Sequence, residues 1–265
     1  MAVECRRRLK GATHPPDLLS MTWVLFVVAA VASVVVWWQR LRRANRERSL
    51  MLLCHRAGLD FAPLDLNPGT AWLPFAMFGR ERSGTANVVW DRTRGPEIRV
   101  FDYWWEDPAE DRTVAPRRWM TCAVVPLTGS VPRLRVEPRE LEDHARSVLG
   151  LREVRLDLEA FNRRFVVTSQ DERFAIAFLE QRLMEGLMAL PDGMAAETNE
   201  DVLFLTGPLL PAEQVLVLFD TAVELAERIP RSLPSRYPPR PARGPYEERW
   251  LQGRWSPAPT HDATP

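Results

Sequence analysis

NVVWDRTRGPEIRVFDYWW, residues 87–105, contains two runs of β-branched and aromatic residues around a turn. Asn87–Asp91 and Glu97–Trp105 have strand composition. The RTRGP between them supplies the turn, so the pattern predicts a β-hairpin. Side chains alternate across a strand, which puts Ile98, Val100 and Trp104 on one face and Phe101, Tyr103 and Trp105 on the other. Large apolar groups on both faces predict a sheet covered at least in part on both sides.

Downstream, a third strand is expected at Trp119–Leu127, after the charged loop EDPAEDRT, and a short fourth at Leu134–Val136 between Pro132 and Pro138. Glu140–Leu149 reads as a helix with Leu141, Ala145 and Val148 on one stripe. Val154, Leu156 and Leu158 alternate as a strand, and Phe165–Thr168 forms another. Ser169 and Glu172 have capping-box spacing, predicting one long helix to Leu190 before Pro191, with Phe174, Phe178 and Leu187 near one stripe. Val202–Leu205 is a buried-type strand. Pro211 opens a last helix to Ile229, with Val215, Leu218, Phe219, Ala222, Leu225 and Ala226 inward. The fold class expected is α+β, a mostly antiparallel sheet with helices packed on it.

Upstream, residues 62–85 are rich in Pro and Gly but also carry Trp72, Phe75 and Phe78, which predicts an irregular segment packed on the domain. Residues 39–58 continue as a juxtamembrane helix stopped by Gly58. Leu18–Trp38, LLSMTWVLFVVAAVASVVVWW, has no charged residue. As a helix it is about 31 Å long, against a hydrocarbon core of roughly 30 Å. Trp23 lies near one end and Trp37 with Trp38 at the other, where indoles suit the two interfaces. One transmembrane helix therefore precedes the domain. Ala30-Val31-Ala32 resembles a signal-peptidase site, but the apolar run continues past it through Trp38. Arg40, Arg42, Arg43, Arg46 and Arg48 follow the span, which places the soluble part in the cytoplasm. Met21 is a second candidate start, and residues 1–17 are an N-terminal extension.

The chain is thus divided into the extension, the span 18–38, the juxtamembrane helix 39–58, the domain 59–229 and a tail 230–265. The tail is dense in Pro and Arg and poor in aliphatic residues, so it is expected to be disordered. Its segment 238–243, PPRPAR, has the spacing read by SH3-type grooves, and Trp250 and Trp255 offer a second means of recruitment.

The 35 basic and 35 acidic residues balance, so no global field attracts nucleic acid. Lys10 is the only lysine, an Arg bias typical of high-GC genomes. Cys5, Cys54 and Cys122 form no CxxC pair, and no disulfide framework is expected. Cys122 reads as a small buried hydrophobe. His55, His144 and His261 stand apart from each other and from any cysteine. Glu106, Asp107, Glu110 and Asp111 lack the spacing of a calcium loop and read as a solvated connection. No nucleophile elbow, zinc motif or phosphate loop occurs. No catalytic, cofactor-binding or metal residue is therefore nominated. The arginines Arg40, Arg42 and Arg43 are candidates for anionic lipid headgroups.

HRAGLDF at 55–61, NVVWD at 87–91, VFDYWWE at 100–106, PRLRVEP at 132–138 and EAFNRRFVVTSQDERFAIAFLEQRLMEGLMALP at 159–191, in that order after an N-terminal span, are similar to a family of uncharacterised single-span membrane proteins of high-GC bacteria. Their shared domain has no assigned function. The resemblance covers residues 40–230 and implies a coherent domain, without an activity or a ligand. The function expected is a membrane-tethered, non-catalytic binding or scaffolding module. The alternative is a membrane-anchored enzyme whose site is assembled from scattered residues.

Overall fold

One strand, Arg117–Pro138 (β4), organises the sheet. Its first part pairs antiparallel with Arg99–Glu106 (β3), and its last part with Phe165–Ser169 (β6). Ala195–Pro208 (β7) pairs with it from Met120 to Val136. Residues 120–124 and 134–136 each have two partner strands. Hence β3 and β6 follow one another along one edge of β4, and β7 runs along the other. Ser83–Trp90 (β2) and Asp60–Leu64 (β1) extend the sheet beyond β3, and Arg152–Val154 (β5) extends it beyond β6. All these pairings are antiparallel. The computed structural model describes residues 18–64, 70, 73–91, 98–106, 117–140 and 152–241, with some side chains between 18 and 39 outside the description.

The expected strands at 119–127 and 134–136 are therefore one 22-residue strand. Pro132 marked the expected break and Pro126 lies inside the expected third strand, and neither proline can donate to a ladder. Both lie where β3 has ended, at Val124, and β6 has not begun, at Leu134, so that edge asks for no N–H from them. Opposite, the β7 register shifts between Pro126 and Leu134, and Glu200 there adopts φ 54°. The expected β2–β3 pair is present; β2 starts earlier than the sequence pattern indicated, at Ser83, and β3 is shifted to Arg99–Glu106.

Both faces of the sheet are covered. One face buries Val89, Val100, Ala123, Leu203 and Leu205 with the helices, including Leu50 and Cys54. The other buries Val88, Phe101, Tyr103, Cys122 and Phe204 with Leu73, Phe75 and Phe78 from the Pro/Gly-rich segment. Phe78 meets Tyr103 edge-on at 5.0 Å and Phe204 at 5.2 Å, so that segment packs as its aromatics require.

The expected long helix after Ser169 is two helices, Glu172–Phe178 (α3) and Gln181–Met188 (α4). At about 100° per residue, the buried stripe Phe174, Ala175, Phe178, Leu179 lies about 140° from the stripe Leu183, Met184, Leu187, Leu190. A straight helix could not turn both inward, and an extended Glu180 resets the phase. Leu187 therefore does not share the stripe of Phe174 and Phe178, although all three are buried. Asp171 is the N-cap of α3, its carboxylate accepting from the Phe174 N–H at 3.1 Å. Ser169 instead braces Asp171, its Oγ accepting from the Asp171 N–H. Asp171→Ala is expected to cost about 1 kcal/mol, a fall in melting temperature of roughly 2–4 °C. Ser169→Ala, followed in the same melt, should cost less.

Glu159–Arg164 (α2) and β1 are elements the sequence pattern did not indicate, and Leu156 and Leu158 lie beyond the end of β5. Ala212–Arg228 (α5) ends where expected. The expected helix at 140–149 falls mainly outside the described residues. Leu18–Ala57 (α1) is one helix of 40 residues joining the 18–38 and 39–58 segments, and Gly58 at φ 71° follows it. Among the described residues no helix is long and apolar enough to cross a membrane. The chain divides into two units, Met1–Asn45 and Arg46–Pro265.

The domain does not stop at 229. Leu233–Arg236 (α6) follows, with Leu233 buried, and Tyr237 packs edge-on against Phe174 at 5.2 Å. Arg240 reaches Glu200 at 2.8 Å and Asp201 at 2.9 Å. The expected disordered tail thus begins with an ordered strap. The signal missed was Leu233 with Tyr237, too sparse to read as periodicity. Trp250 and Trp255 lie outside the described residues.

Candidate functional site

A buried carboxylate at the centre of the sheet gathers side chains from one helix and two strands. Asp102 on β3 is 2% exposed. Its Oδ1 accepts from Arg46 Nη2 at 2.8 Å and from the Thr121 hydroxyl at 3.1 Å. Its Oδ2 accepts from Arg46 Nε at 2.9 Å and from Asn87 Nδ2 at 2.8 Å. The Thr121 Oγ1 accepts in turn from the Leu210 N–H at 3.0 Å, and Arg46 Nη1 donates to the Leu210 carbonyl. The network joins α1, β2, β3, β4 and the β7–α5 connection.

Local sequence explains this convergence. Asn87 sits at φ 53° in an irregularity of β2 between Ala86 and Val89. Asparagine tolerates the left-handed region better than most residues. Thr121 is the cross-strand partner of Asp102. Arginine suits the remaining position because its fork matches a carboxylate with two parallel bonds.

Four donors fill the roughly four lone-pair positions of a carboxylate. Asp102 in this arrangement has no position left with which to accept a substrate proton. Its chemistry is that of a clasp, holding the end of α1 that carries Arg46 to the middle of the sheet. Sequence reading counted Arg46 only as flanking positive charge and passed over Asp102. The signal available was an acidic residue in a strand apolar on both faces.

A groove of about 260 Å³ lies on the other face, floored by Tyr103, Trp105 and Phe204 and edged by Arg133, Arg135 and Glu197. Arg133 pairs with Glu197 at 2.6 Å and Arg135 with Glu137 at 2.5 Å. Burial nevertheless holds the Glu137 carboxyl above the usual range, with Glu197 adding to the effect against Arg135. A cavity of about 620 Å³ is lined by Arg139, Asn162, Arg163 and Phe165. Asn162 there holds the Leu156 backbone from both sides, at 3.3 and 2.6 Å. The most specific part of the resembling sequence, FNRRF, therefore includes a loop brace.

The residues weighed from sequence do not converge. Cys54 and Cys122 are both buried, Cys122 in the aromatic face of the core. Burial pushes the Cys54 thiol up to about 11, and raises Cys122 well above the ordinary value with the Asp102 charge adding to it. His55 is exposed on α1. Glu106 accepts from Arg117 and pairs with Arg82, each at 2.9 Å. The Arg117 hydrogen bond chiefly lowers its pKa. Asp107, Glu110, Asp111, His144, His261 and Cys5 lie outside the described residues. Among the described residues no group of three or more His, Cys, Asp or Glu could hold a metal.

Fold and clasp together define an α+β domain built on a long shared strand, with the part of α1 from Arg46 onward pinned to its sheet. No family model matches this chain, and no curated protein matches it. The crystal structure of the mycobacterial trehalose monomycolate transport factor A, TtfA, is similar over 75% of this chain and 98% of that chain, with 15% sequence identity and a TM-score of 0.50. At that identity the likeness concerns the fold.

Proposed function

We propose that the protein is a membrane-tethered, non-catalytic binding or scaffolding module whose domain lies at the cytoplasmic face. The observation that carries this reading is the clasp. Arg46, eight residues beyond Trp38 in sequence, is bound into the middle of the sheet. That segment, 18–38, is free of charge throughout. Trp23, Phe26, Trp37 and Trp38 stand at least half exposed, a surface that a bilayer would cover. The guanidinium of Arg42 lies 3.4 Å from the Trp38 ring centroid. Arg40, Arg42, Arg43, Arg46 and Arg48 follow the segment in sequence, a positive flank that favours a cytoplasmic domain and anionic headgroups.

This reading agrees with the resemblance of the sequence to single-span membrane proteins. The fold likeness to TtfA, described as a trehalose monomycolate transport factor, supports by analogy alone a role in transport. The part of the Pro-rich tail beyond the strap is the second candidate contact, for a protein partner.

Two measurements test the proposal. The full-length protein is expected to stay in native membranes after a carbonate wash, and its domain to be cleaved by protease only once the membrane is opened. Release by carbonate overturns the tether, and cleavage in intact cells overturns the orientation. Purified from detergent-solubilised native membranes, the protein should carry a stoichiometric integral-membrane partner. Recovery as an isolated, monodisperse species would count against the scaffolding role.

A further inference from the structure

We infer that the groove floored by Tyr103 and Phe204, with Arg133 and Arg135 at its rim, binds a small anionic amphiphile: a carboxylate carried on a short apolar chain. It adds a ligand to the binding module proposed above and does not depend on the tether or the orientation. The groove encloses about 260 Å³. At about 30 Å³ for a group the size of a water molecule, that is room for roughly nine heavy atoms. An eight-carbon carboxylate is of this size.

The floor is apolar and preformed. Tyr103 and Trp105 stack with ring centroids 6.0 Å apart, and Phe75 meets Phe204 at 4.7 Å. The Tyr103 hydroxyl donates to the Met77 carbonyl at 2.6 Å and so holds the short helical turn 76–79 against the sheet as one wall. Met77, Trp105 and Met120 are half-buried, packed on the aromatic core while lining the groove. The core thus reaches the surface here, and two of its outermost members are methionines, whose unbranched side chains adapt to the shape of a ligand.

The rim supplies the charge. Arg133 and Arg135 are two residues apart on β4, so both side chains leave the same face. Glu197 is the cross-strand partner of Arg135 but pairs with Arg133, which donates from Nε at 2.6 Å. Arg135 meets Glu137 through Nη2 at 2.5 Å. A guanidinium has five N–H donors, so each pairing leaves donors for a further acceptor while its carboxylate holds the group in place. Arg80, over Trp105 at 5.0 Å, is the third guanidinium, against the two carboxylates of Glu137 and Glu197. One positive charge in excess beside an apolar floor complements a monoanion with an apolar body, and the guanidinium fork matches the two oxygens of a carboxylate.

The test titrates octanoate into the full-length protein, isotope-labelled at its methionine methyl groups and held in phosphatidylcholine nanodiscs, and follows those methyls by NMR. Met77 and Met120 report on the groove, and Met184 and Met194, buried in the other core cluster, are the controls. The expected result is a saturable shift at Met77 and Met120 alone. Octanol, with the same chain and no charge, should bind at least about tenfold more weakly, for want of charge-assisted hydrogen bonds. Arg133→Gln combined with Glu197→Gln removes the guanidinium without stranding its carboxylate, and should weaken octanoate by a similar factor while leaving octanol unchanged. Equal affinity for octanoate and octanol overturns the anionic class, and a double variant that binds octanoate like the native protein overturns the role of Arg133. Shifts spread over all four methionines, or none at Met77 and Met120, overturn the site. Each of these failures leaves the tether and the scaffolding role standing, because carbonate extraction and partner recovery test those separately.

Discussion

Arg46→Met is expected to cost about 3–5 kcal/mol of folding stability, because it leaves the Asp102 carboxylate buried with only neutral donors. Asn87 Nδ2 and the Thr121 hydroxyl would remain at 2.8 and 3.1 Å, but neither offsets the charge. For a domain of this size the melting temperature in detergent should fall by roughly 6–20 °C. The double variant Arg46→Met, Asp102→Asn removes the unpaired charge and should recover part of that loss. A double variant no more stable than Arg46→Met would mean that the cost came from lost packing of the arginine stem. A single variant that melts like the native protein would show that the clasp does not hold the helix to the sheet.

Truncation after Ile229 is the second large effect, expected at about 3 kcal/mol or more. Leu233 is buried, which contributes about 1.5–3 kcal/mol. Tyr237 adds its edge contact with Phe174, of the order of 1 kcal/mol. Removal of Arg240 leaves Asp201, almost wholly buried, and Glu200 on the kinked part of β7 without their guanidinium. The ordering of about a dozen residues offsets some of this. The strap also lies against β4. Ser130 N–H donates to the Pro238 carbonyl at 3.3 Å, and a Cβ at Gly129 would come within 2.2 Å of the Tyr237 carbonyl oxygen. Melts of full-length protein, of residues 1–241 and of residues 1–229 separate the possibilities. The first two should agree and the third should melt lower. Equal melting of all three would return the domain boundary to 229.

The strap also changes the reading of the PPRPAR segment. Arg240, at its centre, is occupied by Glu200 and Asp201. A partner that reads the whole segment must compete with that pairing.

Alternation in residues 87–105 determined the β2–β3 hairpin and both faces of β3, because the strand period of two is written directly into residue order. Proline and capping signals likewise determined the start and end of α5, since they act within a turn or two of the chain. The charge-free run 18–38 is equally local, a matter of length and composition. Tertiary structure alone decided that Pro126 and Pro132 interrupt nothing, because their tolerance depends on where β3 stops and β6 starts. It also decided that the helix after Ser169 breaks at Glu180, because two apolar stripes out of phase must reach the same core. The clasp was hidden for the same reason. Arg46 is 56 residues from Asp102 in sequence and Leu210 is a further 108 along, and each is unremarkable among its neighbours. A buried charge shows its role only when the group that neutralises it is in view, and here folding brings that group from another part of the chain.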